Sequence, residues 1–486
     1  MLEEKSSLSS LVSLGKTGLA FTFCMLQVWG LILSDQSYLL VPGYLGSMYY
    51  GLRGFAAALG GAIALVLVVL ALKNPSVFNR RVWSIASIIA NGIGIGFLFF
   101  DLGTSTWPMY IAGFALCSFS STWSAILVGA AAIKHSERAR AKALSFGYVL
   151  KVIIVYIATP LISVLSSYAS LVALLFPCFV FFLTHEKSDS VFELITHSAA
   201  QSDLEITNPA SFLPFSNKLF VTILLFTCAC GFGFSVISPQ DFSWQNLAVI
   251  SLLVVCIVAI LLFNKKRLEI DDFFTLAITL TTVGLVAGPV WADDSIISKL
   301  GYVILVAGCE SFLLFMYLLL FKLAARNAIT TISLIAFSGV AINLGMLIDT
   351  LFWIAARSIS KIDVIPRASI ILFFFLIFIT YCLVFVRRLN FEDTVRSISP
   401  VPSFVPSVES PSLVNACEKI ANAYSLTARE KEIFELLARG RNGRFIREKL
   451  FISQSTVKTH VRNIYAKLDI HSHQELIDLI EHPKTD

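Results

Sequence analysis

Long apolar stretches separated by short polar and basic connections recur from the N-terminus to about residue 388, and only the tail alternates apolar and polar positions as a water-exposed helix does. Twelve stretches hold about 18 or more apolar residues, enough for a helix to cross some 30 Å of hydrocarbon. They fall at 14–34, 53–72, 82–100, 107–133, 143–165, 167–184, 218–238, 244–263, 273–292, 296–321, 329–354 and 368–388. The first does not read as a cleaved signal peptide. It is too long, its flank MLEEKSSLSS is mixed in charge, and Asp35, Gln36 and Ser37 follow in place of small cleavage-site residues.

Composition agrees with this pattern. The chain is 56% hydrophobic and 14% charged, against about 25% charged for a soluble domain, which excludes an ordinary cytosolic enzyme. A net charge of +5 implies no nucleic-acid partner by itself, because membrane proteins collect Lys and Arg in cytoplasmic loops. With the N-terminus inside, those loops and flanks carry about 18 basic residues against about 5 outside, so both termini are expected on the cytoplasmic side of the membrane. The nine cysteines form no C-x-x-C pair and read as core thiols, with no metal site, cofactor or disulfide expected.

The longest connection inside the apolar region, 185–217, separates six spans from six, and basic loops recur at matching places in each half. NPSVFNRR after span two answers NKKRLEIDD after span eight, and IKHSERARAK after span four answers FKLAARNAIT after span ten. This layout resembles the major facilitator transporters, which implies an all-α fold with a twelve-helix, 6+6 bundle over about residues 1–390. That family's signature after span two, G-x-x-x-D-R/K-x-G-R/K-R/K, survives only as Arg80 and Arg81, and the missing Gly and Asp weigh against a transport cycle.

Lys151, Glu310 and Asp349 fall within spans. A charge at that depth costs several kcal/mol unless it faces a partner or a wet cavity, so these are the candidate ligand-binding residues, with a helix-packing ion pair as the alternative use. Gly92, Gly94, Gly96, Gly339 and Gly345 are expected to let helices approach closely.

After Arg387 and Arg388 the sequence turns to SISPVPSFVPSVESPS, where four prolines favour an extended spacer, and Leu413 to Ala423 reads as an amphipathic lead-in helix, so that 391–423 forms a linker region. LTAREKEIFELLARG then opens with a capping box at Thr427 and Glu430 and stops at Gly440. Three more helices follow, through GRFIREKL, SQSTVKTHVRNIYAKL and HQELIDLIEH. In the third of these four, Val457, Val461, Ile464 and Leu468 recur at helical spacing, with Ser455, Lys458, Thr459 and Arg462 opposite. Arg and Lys can make paired hydrogen bonds to guanine in a major groove, and Thr can meet a base edge or a thymine methyl. From Arg439 to Lys467 there are eight basic residues and one acidic, an excess suited to phosphate, in which Arg444 and Lys467 flank the helix.

The ordered matches L-T-x-R-E from Leu426, L-L-A-x-G from Leu436, and I-S-x-x-T-V-K-x-H-V-x-N-I-Y-x-K-L from Ile452 resemble the LuxR-type, or GerE-type, helix-turn-helix domain over about 424–482. The resemblance implies a domain at 424–486 that binds double-stranded promoter DNA, with base or phosphate contacts from Lys458, Thr459 and Arg462 and a dimer contact from the last helix. Arg447 stands where that family usually has a small Ala, and His473 where it often has Arg; His460 reads as a satisfied half-buried histidine.

No segment is long enough for the receiver or soluble ligand-binding domain of other LuxR-type regulators, which leaves the bundle as sensor. The combination reads as a membrane-embedded one-component transcription regulator in which an unknown small molecule or membrane signal acts on the bundle and controls a homodimeric, DNA-bound tail. A transporter with a regulatory tail, or a DNA-binding tail on an inert anchor, are the alternatives. No nucleophile-base pair or phosphate-binding Gly loop is visible, so no enzyme is expected.

Overall fold

The computed structural model describes residues 49–99, 107–197, 212–235, 270–290, 296–359, 390–398, 411–439, 443–471 and 473–481, with scattered positions at 18–26 and 376–384. Among the described residues the regular structure is all helical. The bundle comprises α1 (Tyr49–Lys73), α2 (Arg80–Phe99), α3 (Trp107–Ile133), α4 (Glu137–His197), α5 (Lys218–Ser235), α6 (Ile270–Val290), α7 (Ile296–Arg326) and α8 (Thr331–Ile359). Among the described residues, five windows, on α1, α2, α3, α7 and α8, are long and apolar enough to cross a membrane. The expected span at 244–263 lies outside the described residues, as do most of 14–34 and 368–388.

The faces of α2 explain why lipid suits this bundle. Val82, Ile85, Ile89, Ile93 and Phe97 form an exposed stripe, while Ser84, Ser87 and Asn91 are buried. Ser87 Oγ lies 3.0 Å from Ser120 Oγ, and the Trp123 indole donates to Ser84 Oγ at 3.0 Å. In water that outward stripe would be an exposed apolar patch of the kind soluble monomers avoid. In hydrocarbon it costs nothing, and the short polar side chains inside act as interhelical hydrogen bonds. α7 and α3 are central, with 78% and 72% of their spanning windows buried, against 39% for α1 and α2.

Two spans were expected over 143–184 and a loop from 185; both spans lie in one 61-residue element, α4, which stays helical past 185. Residues 137 and 192 would be about 80 Å apart on a straight helix. Glu137 instead pairs with Lys322, Phe192 packs on Trp123, and Gly129 abuts Phe321 and Ile335. Both ends of α4 therefore return to the same end of the bundle, and the element doubles back. The stretch expected as loop stays helical to His197 because Ser188, Val191, Phe192 and Ile195 repeat at helical spacing and are buried. Arg80, which survives from the span-two signature, reaches this extension: its guanidinium lies 2.9 Å from Asp189, donates to Phe181 O at 3.0 Å and sits over the Phe181 ring.

Gly94 faces the Gly113 carbonyl, Gly339 faces Thr122, and Gly345 lies against Thr227 and Gly231. Gly96 meets nothing within 4 Å, so close packing is not its role. Gly231→Ala places a methyl inside van der Waals contact of the Gly345 carbonyl oxygen and should force α5 from α8, lowering detergent-state stability by about 1–3 kcal/mol. Gly96→Ala should leave the melting temperature unchanged or higher; equal melting of the two variants would refute the close approach.

The segment 391–423 divides between two hydrophobic cores. A short helix, α9 (Phe391–Arg396), contributes Phe391 and Val395, with Ile398 beyond it, to the core of the bundle. α10 (Pro411–Ala423) supplies Cys417, Ile420 and Ala421 to a second core with the C-terminal helices. These are α11 (Ala428–Ala438), α12 (Gly443–Leu450), α13 (Gln454–Leu468) and α14 (His473–Glu481).

Candidate nucleic-acid interface and buried ion pair

The C-terminal unit is fixed by caps and a few tertiary clamps. Thr427 and Glu430 close a reciprocal capping box at the start of α11. Glu430 also receives the Lys467 ammonium at 2.7 Å, tying α11 to the end of α13. Burial pushes the Glu430 carboxyl up, but the Lys467 and Thr427 hydrogen bonds outweigh it and hold the group below its ordinary value. Arg429 donates to Leu450 O at 2.8 Å, joining α11 to the end of α12. The chain turns into α13 through Phe451 at φ 52, a left-handed position held by an exposed, non-glycine residue. Ser453 then caps α13, accepting from the Thr456 amide at 3.1 Å, and its hydroxyl also meets those of Ser455 and Thr456, each at 2.7 Å.

α13 presents two distinct faces. Val457, Val461, Ile464, Tyr465 and Leu468 are buried in the second core, whereas Ser455, Lys458, Thr459 and Arg462 are exposed together on the other side. Thr459 bonds back to Ser455 O at 3.0 Å, leaving its methyl and hydroxyl on that face. Four of the expected contact residues thus form one polar, cationic strip. Lys467 is not part of it, because its ammonium is committed to Glu430 and to Ser425 O at 3.2 Å. Arg444 lies on α12 with its side chain outside the described residues. Arg447 and His460 are half-buried.

Sequence reasoning missed α10 as part of this core, Tyr465 as a core residue and the Arg429 clamp. α10 packs on α11 and α14, so the apolar side of α14 is covered and its exposed strip includes Glu475 and Asp478. His473, at the start of α14, is buried, with Nε2 2.8 Å from Leu437 O. Burial lowers its pKa from 6.5, opposed by the carbonyl. The unfolded chain therefore takes up this proton at higher pH than the folded domain, so stability is full above 6.5 and declines as pH falls below it. The melting temperature of a fragment from residue 405 should fall between about pH 7.5 and pH 5.5 and fall less in His473→Gln. A level melting temperature in the natural sequence would remove His473 as the cause.

In the bundle, Lys151 of α4 and Glu310 of α7 meet, with Nζ 2.9 and 3.0 Å from the two carboxylate oxygens. The Tyr148 hydroxyl donates to Glu310, and the Lys151 ammonium lies 4.8 Å from the Tyr148 ring centre. Lys151 is buried and Glu310 nearly so. Asp349, the third candidate, lies on α8 with its side chain outside the described residues. Two of the three intramembrane charges are thus each other's partner. Among the described residues no group of His, Cys, Asp and Glu could hold a metal.

A capped helix presenting a polar-cationic strip behind a short preceding helix and tight turn is the geometry of a helix-turn-helix domain. Residues 424–480 match the family described as bacterial regulatory proteins, luxR family, and form a domain of that family. The segment is 49% identical over 65 residues to a response regulatory protein, YgeK, of Escherichia coli (strain K12), covering 13% of this chain and 44% of that protein. It is 54% identical over 46 residues to the transcriptional regulatory protein LiaR of Bacillus subtilis (strain 168), covering 10% and 22%. The chain spans less than half the length of these relatives. Among solved structures, the human organic anion transporter MFSD10 (TETRAN) aligns with a TM-score of 0.42 and 14% identity over 71% of this chain and 93% of that one. A double-Trp mutant of XylE aligns with a TM-score of 0.46 and 11% identity over 80% and 98%.

Proposed function

We propose that this chain is a membrane-embedded one-component transcription regulator. Its domains are a bundle in the bacterial cell membrane up to residue 398, a connection over 399–410, and a cytoplasmic DNA-binding domain from 411. The observation that carries the reading is the exposed strip Ser455, Lys458, Thr459 and Arg462 on a helix whose opposite face is core, joined in one chain to a lipid-facing bundle. Lys458 and Arg462 supply base-edge or phosphate contacts in the major groove of promoter DNA, and Ser455 and Thr459 shorter hydrogen bonds. Binding is to paired half-sites as a homodimer. Because α10 covers the apolar side of α14, the dimer contact involves the α14 strip near Glu475 and Asp478 or a surface outside it. A small molecule or membrane signal acts at the Lys151–Glu310 pair, where it would compete with a protein ion pair for one of its partners.

The test is the transcript profile of cells carrying Lys458→Ala plus Arg462→Ala against the natural sequence, at equal membrane levels. Change confined to one or a few operons is expected. No change under varied growth conditions would overturn the regulator reading and favour a transporter, which the buried pair also suits, with uptake that depends on Glu310.

A further inference from the structure

The short helix α9 lies between the bundle and the DNA-binding domain, and the bundle grips it at several points. Asn390 caps it, accepting from the Asp393 amide at 3.0 Å. Asp271, at the start of α6, accepts from the Phe391 and Glu392 amides at 2.9 and 3.1 Å. One carboxylate thus satisfies two donors that the start of a helix leaves unpaired. Phe391 is buried, with its ring 4.6 and 5.1 Å from those of Phe274 and Phe315, and Val395 is fully buried.

The polar side of the grip is shared. Lys322 of α7 lies 2.5 Å from Glu392 of α9 and 2.6 Å from Glu137 of α4, so one ammonium serves two carboxylates. Arg396 steadies Glu392 from the solvent side at 3.1 Å. The two helices that supply Glu137 and Lys322 also carry the deep pair. Lys151 is 14 residues after Glu137 and Glu310 is 12 before Lys322, so α4 and α7 are pinned at two levels about 20 Å apart. Loss of the deep pair removes one of these pins and lets the α4–α7 spacing change at the other.

We propose that α9 is a coupling latch: Glu137 and Glu392 compete for Lys322, so the hold on α9 depends on the spacing of α4 and α7, and release of α9 lengthens the tether of the DNA-binding domain. Residues 399–410 span at most about 43 Å, and freeing 390–398 adds about 30 Å. The length of reach available to the tail is therefore set by whether α9 is docked. Withdrawal of Glu137 leaves Lys322 to Glu392 alone and removes a like charge from beside it, which tightens the latch. Loss of Glu392 or of the Asp271 carboxylate loosens it. The proposal rests on the regulator reading for its effect on DNA, but not for the docking equilibrium itself.

The experiment uses the full chain in native membranes sheared to expose both faces. In a Val395→Cys background, the rate of maleimide labelling at position 395, read by mass spectrometry, reports undocking. Adding Asp271→Asn or Glu392→Gln should raise that rate about tenfold, and Glu137→Gln should lower it about threefold. Tryptic cleavage after Arg396 in the chain with natural Val395 gives the same ordering for Asp271→Asn and Glu137→Gln if the cysteine background fails to accumulate. Chromatin occupancy in cells should then move in opposite directions for the loosening and the tightening variants. A labelling or cleavage rate unmoved by Glu137→Gln makes α9 a fixed anchor and overturns the proposal, whatever the occupancy. Shifted rates with occupancy equal to the natural chain also overturn it. Loss of regulation in Lys458→Ala plus Arg462→Ala, which touches none of these residues, tests the regulator reading separately.

Discussion

Lys458→Ala combined with Arg462→Ala should bind the promoter sites identified by occupancy no better than unrelated DNA, while folding like the natural sequence. Both side chains are exposed on the face of α13 opposite Val457, Val461 and Ile464, so their removal takes nothing from the core, and surface changes of that kind usually stay within about 0.5 kcal/mol. A well-placed paired contact to a base is worth about 1–3 kcal/mol, so two of them account for much of the roughly 10³-fold or greater preference that separates specific from general binding. If either residue meets phosphate, the dependence of log affinity on log salt should flatten by about 0.9 for each cation lost. Anisotropy titrations across a salt series separate these contributions. Unchanged affinity with an unchanged slope would mean that another face of the domain reads DNA. Lys467→Ala is the contrasting variant. It unpairs Glu430, whose carboxylate is largely buried between the caps of α11 and the end of α13, so its first effect should be a lower melting temperature.

That contrast marks where the sequence was readable. The two-faced pattern of α13 needs only its own residues at a 3.6-residue period, and the same holds for the capping box and for the apolar runs that became α1, α2, α3, α7 and α8. Lys458 and Lys467 are alike in sequence, and what separates them is Glu430, 37 residues before Lys467. The Lys151–Glu310 pair joins positions 159 apart, and Lys322–Glu392 positions 70 apart. Lys151 and Glu310 stand out in the sequence as charges within spans and Lys322 and Glu392 do not, but in both pairs the partner depends on which helices the topology brings together. α4 hid a different feature. The amphipathic turns after 185 resemble a polar loop until Trp123 is there to cover Phe192. α9 did leave a local trace: Asn390 precedes Asp393 by three residues, and Phe391, Val395 and Ile398 repeat at helical spacing just before the prolines. In a stretch so near a Pro-rich spacer, that trace is short enough to be read as linker.

Glu310→Leu should destabilise the bundle most among single changes in it, and adding Lys151→Met to it should restore most of the loss. Truncating one member of a buried ion pair leaves the other uncompensated, at about 3–5 kcal/mol, whereas replacing both with apolar side chains of similar volume is often neutral or stabilising. The surroundings predict which single change is worse. Without Lys151, Glu310 keeps the Tyr148 hydroxyl as a hydrogen-bond donor. Without Glu310, the Lys151 ammonium keeps the face of the Tyr148 ring, a weaker substitute for a carboxylate at 2.9 Å. The expected order of stability in detergent is therefore natural chain close to the double variant, then Lys151→Met, then Glu310→Leu, measured by thermal melting and by the amount recovered from membranes. If Glu310→Leu melts with the natural chain, the pair carries no packing energy. If the double variant stays as unstable as Glu310→Leu, the loss comes from shape and not from charge. A stable double variant would also isolate signalling from folding, since it retains the α4–α7 contact without the charges a ligand could displace, and its promoter output should be fixed while that of the natural chain still responds.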